Sequence, residues 1–301
     1  MKVLAFDTET TGLPAGYNVS LTDVSKWPHV LQLSYIVFDT VTKEIIDYTD
    51  HIIRLDDDVA ITADSIAIHH ITKERSQHDG IPMSMALWEF SQAAREADII
   101  VGHNIQFDKN MLTVEFQRNN MPNGLYRDGQ PLPEYCTMKE TVDFCKLPRL
   151  NTTSRMTNFQ YKWPTLAELH TCLFKAQPKG THNAIADVMI CLRCYIYLHY
   201  GYDIAYDKGV KVIFRALYST YCLAPSPYVM MTSTPNKSGL LPPGEADLPL
   251  PPAPAPLQLP LHVNTDSLLM PPPPLPLPQR KHNTRNSHYM AYNGSMKNKK
   301  A

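Results

Sequence analysis

The chain opens on an apolar run, Val3 to Phe6, that ends in two acids two positions apart, Asp7 and Glu9, and then in a Thr-Thr-Gly turn. Runs rich in β-branched and aromatic residues recur at HVLQLSYIVFD (29–39) and EIIDYTDHIIR (44–54), and the short connections predict three strands in an antiparallel meander. The period then changes. MSMALWEFSQAAREA at 83–97 sets Met83, Leu87, Phe90 and Ala94 at helical spacing, and DIIVGHN at 98–104 reads as a buried strand running into a helix. Thr165 with Glu168 resembles a capping box that opens the helix TLAELHTCLF. Ile185, Val188, Leu192, Tyr195, Ile196 and His199 share one face of a helix from about 184 to 199. Val210, Ile213, Phe214, Leu217 and Tyr221 predict a last helix around 208–221. A meander followed by strand and helix alternation predicts the α/β class, a mixed sheet with helices packed on its faces.

Composition divides the chain of 301 residues at about residue 223. Of 26 prolines, 9 lie before that point and 17 after it; residues 1–222 hold 21 Lys+Arg against 26 Asp+Glu, a balance of −5, and the rest hold 7 against 3, a balance of +4, which together give −1. The sequence therefore predicts a domain over 1–223 and a proline-rich, disordered tail over 224–301, with PPPPLPLP at 271–278 and a basic, Asn-rich end. No stretch reaches the 18 or more apolar residues of a membrane span, and the chain starts on a strand instead of a signal sequence, so a soluble, intracellular protein with no membrane partner is expected. Nucleus and cytoplasm are not distinguished by sequence. Six cysteines without a framework spacing suit a reducing compartment. Cys191 and Cys194 form a CxxC inside a helical pattern with no second pair, which fits ordinary buried thiols better than a zinc or redox site.

The chemistry starts from Asp7 and Glu9. Side chains two apart on a strand point to the same face, so two carboxylates stand side by side and repel. A polar strand end is one reading; a cation site is the other, because hard divalent ions take oxygen ligands that paired carboxylates supply. Two further motifs carry acids at element ends: HNIQFD, His103 to Asp108, where a buried strand gives way to a helix, and HNAIAD, His182 to Asp187, at the opening of an amphipathic helix. Together they make four carboxylates, Asp7, Glu9, Asp108 and Asp187, and one histidine, His182, just before the last.

With those motifs the chain resembles the DEDDh 3′-5′ exonucleases of the DnaQ-like family, in the ribonuclease H-like superfamily, and is similar to proofreading exonucleases of the DNA polymerase III epsilon type. FDTETTGL resembles the first family motif, HNIQFD the second and HNAIAD the third, and ITADSIAIHHIT resembles the stretch between the first two, so the likeness runs from about residue 2 to about residue 200. His182 five residues before Asp187 selects the histidine subclass. The segment 120–164 is longer than a minimal member needs, and the tail has no counterpart. The resemblance implies two Mg²⁺ per site, with Mn²⁺ as substitute. Such ions, about 3.5–4 Å apart, activate water and stabilise the attacking and leaving oxygens of an in-line displacement. It implies that Asp7, Glu9 and Asp187 contact metal directly, that Asp108 completes the second ion's shell partly through water, and that His182 deprotonates the attacking water. It also implies that Thr10, with backbone amides near Thr11 and Gly12, holds the terminal nucleotide and that Leu13 wedges against its base; a core residue after a turn is the competing reading of Leu13.

Asn104 and Asn183 read as helix caps, given the preference of asparagine there, and Phe107 reads as core. Basic and aromatic residues alternate over 139–162, through Lys139, Phe144, Lys146, Arg149, Arg155, Phe159, Tyr161 and Lys162, which suits either a single-strand track or a solvated loop. His29, His69, His70 and His78 show no partner pattern. The expected substrate is a nucleic acid with a free 3′ end, DNA favoured over RNA, in proofreading or repair, with a DNA polymerase as a candidate partner. Trimming of RNA ends is the nearest alternative, because the motifs do not encode sugar choice. An interaction platform that docks SH3, WW or EVH1 domains through the tail is the alternative of another class; Pro273 to Pro276 supplies a PxxP.

Overall fold

The computed structural model describes residues 1–16, 18–148, 161–208, 210 and 212–223. The expected tail, 224–301, and residues 149–160 of the basic and aromatic stretch lie outside the described residues. The described chain begins with β1 (Lys2–Thr10), β2 (Val30–Asp39) and β3 (Glu44–Ile52), then α1 (Ala63–His69), α2 (Lys73–Asp79), α3 (Met83–Glu96), β4 (Ile99–Gly102) and α4 (Ile105–Arg118). A small hairpin, β5 (Tyr126–Arg127) and β6 (Gln130–Pro131), leads to β7 (Glu134–Cys136), the short helices α5 (Thr137–Glu140) and α6 (Val142–Cys145), then α7 (Leu166–Phe174), α8 (Ala184–Tyr200) and α9 (Val212–Tyr218), which passes into a π-helical turn, Ser219–Leu223.

The main sheet has the order β3-β2-β1-β4-β7. The first three strands are the expected antiparallel meander, and β4 and β7 add in parallel to β1 and β4 respectively, which makes the sheet mixed. Its two faces are sorted by the two-residue period of β1. Leu4 and Phe6 belong to a core built with Leu87 and Phe90 of α3 and Met111 and Leu112 of α4, in which the Phe6 and Phe90 rings meet edge to face at 5.2 Å. Val3 and Ala5 point the other way, into a core with Ile36, Phe38, Val101 and the α8 side chains Ile185, Val188, Met189 and Leu192. Continuing that alternation, Asp7 and Glu9 emerge on the α8 face and Thr8 on the α4 face.

α7 opens on the capping box read from the sequence: the Glu168 N–H donates to Thr165 Oγ1 and the Thr165 N–H to the Glu168 carboxylate. The asparagine caps are corrected. Asn104 and Asn183 occupy the N-cap positions of α4 and α8, but neither side chain bonds a helix N–H. Asn104 serves by its left-handed backbone, φ 63°, a conformation that asparagine tolerates better than most residues. The Asn183 Oδ1 is buried without a hydrogen-bond partner. The last helix is shorter than expected, Val212–Tyr218 against 208–221, because the chain loosens to the π-helical turn. Phe107 is half-buried against the α4-side core, and Cys191 and Cys194 are buried free thiols.

Candidate active site

β1 delivers Asp7 and Glu9 at its C-terminal end, and α8 lies over the same face with Asp187 in its first turn. A carboxylate oxygen from each of the three lies within 4.8 Å of the others, a set of oxygen donors that fits a divalent cation. Asp108, in the first turn of α4, arrives from the other face and is 3% exposed. Thr8 holds it: the Thr8 N–H and Oγ1–H both donate to Asp108 Oδ1, at 3.1 and 2.7 Å. The middle residue of Asp-Thr-Glu thus ties the second motif to the first across the strand.

Burial, then mutual repulsion, raises these carboxyls. Asp7 stands well above its ordinary value, through desolvation first and then the charges of Asp108, Asp187 and Glu9. Glu9 is pushed up to about 8 by desolvation and by Asp187 and Asp108. Asp108 rises to about 7 through desolvation, moderated by the two Thr8 bonds. Asp187 also reaches about 7, through desolvation, with a bond from the His182 N–H working against it. No Lys or Arg pairs with any of the four among the described residues, so no described side chain balances the charge they carry when ionised.

His182 stands exposed on the loop before α8, with φ 69°, and its N–H donates to Asp187 Oδ2 at 2.9 Å. The α8 N-terminus is fixed from the sheet, where Gln32 Oε1 accepts from the Ala184 N–H at 3.3 Å and Gln32 Nε2 donates to Asp50 at 2.6 Å. Gln32 pairs in register with Glu9, so β2 sets the helix start beside the carboxylates.

The Thr10–Leu13 turn is also built. Thr10 Oγ1 donates to the Gly12 carbonyl at 2.7 Å, the His29 N–H donates to Thr11 Oγ1 at 2.9 Å, and the Thr62 N–H donates to the Thr11 carbonyl at 2.9 Å. A Cβ on Gly12 would meet the Thr62 methyl at 3.1 Å, so α1 starts against the turn. Leu13 is 82% exposed, which rules out the core reading.

His69, which showed no partner pattern in the sequence, lies buried beneath this turn. Its Nδ1 accepts from the Ile71 N–H at 3.0 Å, which leaves the proton on Nε2 to donate to the Thr10 carbonyl at 3.2 Å. Burial lowers its pKa and keeps the ring neutral. His103 of the second motif is likewise structural: its ring bonds Thr137 Oγ1 and the Pro164 carbonyl, both at 3.0 Å, and burial pushes its pKa down to about 4. Thr8, Gln32 and His69 are site-building residues that the sequence left unmarked. Two of them lie in stretches already singled out, Thr8 in FDTETTGL and His69 in ITADSIAIHHIT, and Gln32 lies in neither.

A mixed five-stranded sheet flanked by helices, with carboxylates from β1, α4 and α8 gathered at the end of its central strand, is the ribonuclease H-like arrangement. The chain belongs to the exonuclease family (RNase_T), whose sequence model matches residues 4–195, and so to the nucleic-acid hydrolases. Among solved structures it is similar to a zinc-bound E. coli ExoI complex with single-stranded DNA, at 17% identity and a TM-score of 0.48 over 66% of this chain and 41% of that one. It is similar to E. coli exonuclease I bound to a 5cy-dT13 oligonucleotide, at 16% identity and a TM-score of 0.49 over 73% and 43%. A moderately thermophilic exonuclease I from Methylocaldum szegediense gives 17% identity and a TM-score of 0.49 over 66% and 41%. The chain spans less than half the length of these proteins. No curated protein sequence matches the chain significantly.

Proposed function

We propose that the protein is a metal-dependent 3′-5′ exonuclease that removes nucleotides from the 3′ end of DNA by phosphodiester hydrolysis. The observation that carries this reading is the convergence of Asp7, Glu9 and Asp187 within 4.8 Å, with no Lys or Arg paired to them among the described residues. Asp7, Glu9 and Asp187 would hold the metal directly and Asp108 would complete the set; hard oxygen donors suit Mg²⁺, with Mn²⁺ as substitute. When bound, two such ions activate water and stabilise the attacking and leaving oxygens of an in-line displacement.

The chain's own residues supply the rest. His182, exposed and outside the cluster of oxygen donors, takes the proton from the attacking water, and its N–H bond to Asp187 keeps its backbone beside the carboxylates. Thr10, Thr11 and Gly12 form the turn against which the terminal nucleotide sits, and exposed Leu13 packs on its base. End-labelled single-stranded, duplex and mismatched DNA and matched RNA, incubated with Mg²⁺, Mn²⁺ or EDTA, test the proposal. Metal-dependent loss of nucleotides from the 3′ end, faster on DNA, is the expected result. Shortening from the 5′ end, or equal shortening in EDTA, would refute the activity, and faster shortening of RNA would move the substrate to RNA.

A further inference from the structure

The family match ends at residue 195, yet beyond it the chain returns to the loop that carries His182. The Lys179 N–H donates to the Cys222 carbonyl at 3.1 Å, and the Cys222 thiol, fully buried, donates to the Ala186 carbonyl at 3.7 Å. One residue of the Ser219–Leu223 turn therefore fastens both ends of the segment Lys179–Ala186, and His182 stands between them. Gly180 lies under the same turn. Its φ is 74°, and a Cβ there would sit 2.1 Å from the Tyr221 carbonyl oxygen, a contact that only glycine permits.

The turn has a firm footing. Tyr218, at the end of α9, accepts from Arg193 Nη1 at 2.6 Å and bonds His170 Nε2 at 3.0 Å, and Arg193 grips both oxygens of Asp203 at 2.7 and 2.6 Å. α7, α8 and α9 are thereby joined around one buried guanidinium. His182 needs such support, because a left-handed backbone costs a non-glycine residue on the order of 1 kcal/mol or more and persists only where its surroundings impose it.

We propose that the Ser219–Leu223 turn is a clamp on the Lys179–Ala186 loop, and that Gly180 and Cys222 are positioning residues that hold His182 in place for proton transfer. The inference rests on His182 as the proton acceptor of the proposed reaction. A double-mutant cycle tests it in the full chain with Mg²⁺ and an end-labelled single-stranded oligonucleotide: Gly180→Ala and Cys222→Ala, each with His182 present and with His182→Ala, are read as kcat, KM and melting temperature.

With His182 present, Gly180→Ala is expected to lower kcat by about 10- to 100-fold with KM little changed, as a misplaced catalytic group does. Cys222→Ala is expected to lower it by a smaller factor. In the His182→Ala background neither should lower kcat further. Equal losses in both backgrounds, or no loss in a folded variant, would overturn the clamp; if Gly180→Ala fails to fold, Cys222→Ala decides alone. A His182→Ala enzyme with undiminished kcat would instead overturn the role given to His182, which separates the two failures.

Discussion

Thr8 does at residue scale what composition hides, since its hydroxyl and its N–H both serve one oxygen of Asp108. Thr8→Val keeps the shape and removes the hydroxyl. Outer-shell partners of this kind are worth about 10- to 100-fold in metal affinity or activity. Thr8→Val is therefore expected to weaken the Mg²⁺ response in a melting titration by about that factor while its metal-free melting temperature moves little. His182→Ala should behave in the opposite way: a general base contributes about 10²- to 10⁴-fold, so kcat should fall by that range while stabilisation by metal persists. Single-turnover hydrolysis beside a metal titration checks both. The carboxylates and His182 were legible in the sequence because each sits in a dense local motif. Gln32, His69 and Cys222 were not, because each is defined by a partner 36 to 152 residues away, and Thr8, although inside the first motif, takes its part only from Asp108, 100 residues on.

At the scale of elements, the strongest periodic segments were read to within two or three residues: β1, β2 and β3, α3, and α8 with its nearly unbroken buried run from Ala184 to Ile196. What escaped was short. α1 and α2 are two turns each, too short for a period to declare itself, and start where Thr62 and Thr72 accept from Ser65 and Arg75 N–H groups. β7 is three residues placed by pairing with β4, a tertiary decision no local pattern records. α8 carries Asp187, and its packing against the sheet sets where that carboxylate lies. Leu192→Ala, at a fully buried α8 position against the sheet, is expected to lower stability by about 2–5 kcal/mol in urea denaturation. A Thr165→Ala change at the α7 capping box should cost only about 0.5–2 kcal/mol by the same measurement.

For the whole molecule, the raised carboxyls turn pH and metal into opposed variables. Between about 6.5, above which the buried histidines are largely neutral in either state, and about 8, the value reached by Glu9, the raised carboxyls give the metal-free folded protein more protons than the unfolded chain. Its stability is therefore expected to fall as pH rises across that interval. Bound cations require the same groups ionised, so apparent metal affinity should climb over the same interval and the melting gain from Mg²⁺ should be larger at pH 8 than at pH 6. Melting curves in EDTA and in Mg²⁺ at several pH values measure both slopes, and Asp7→Ala should abolish most of the Mg²⁺ gain. No described helix is long and apolar enough to cross a membrane. Among the described residues both main cores and every candidate site residue lie at or before Cys222, so a chain ending after Leu223 is expected to keep its melting temperature and its activity on short oligonucleotides.

The alternation of β1 has a bearing on how the chain finds its fold. A slip of one residue in the β1 pairing would turn Asp7 and Glu9 toward Phe90 and the apolar layer of α3 and α4, while Phe6 and Thr8 would face α8. Two ionised groups buried in that layer would cost far more than the slipped ladder could return. The acids proposed to serve hydrolysis thus also act as a registration mark: before any ion or substrate arrives, they disfavour the slipped alignment of the central strand.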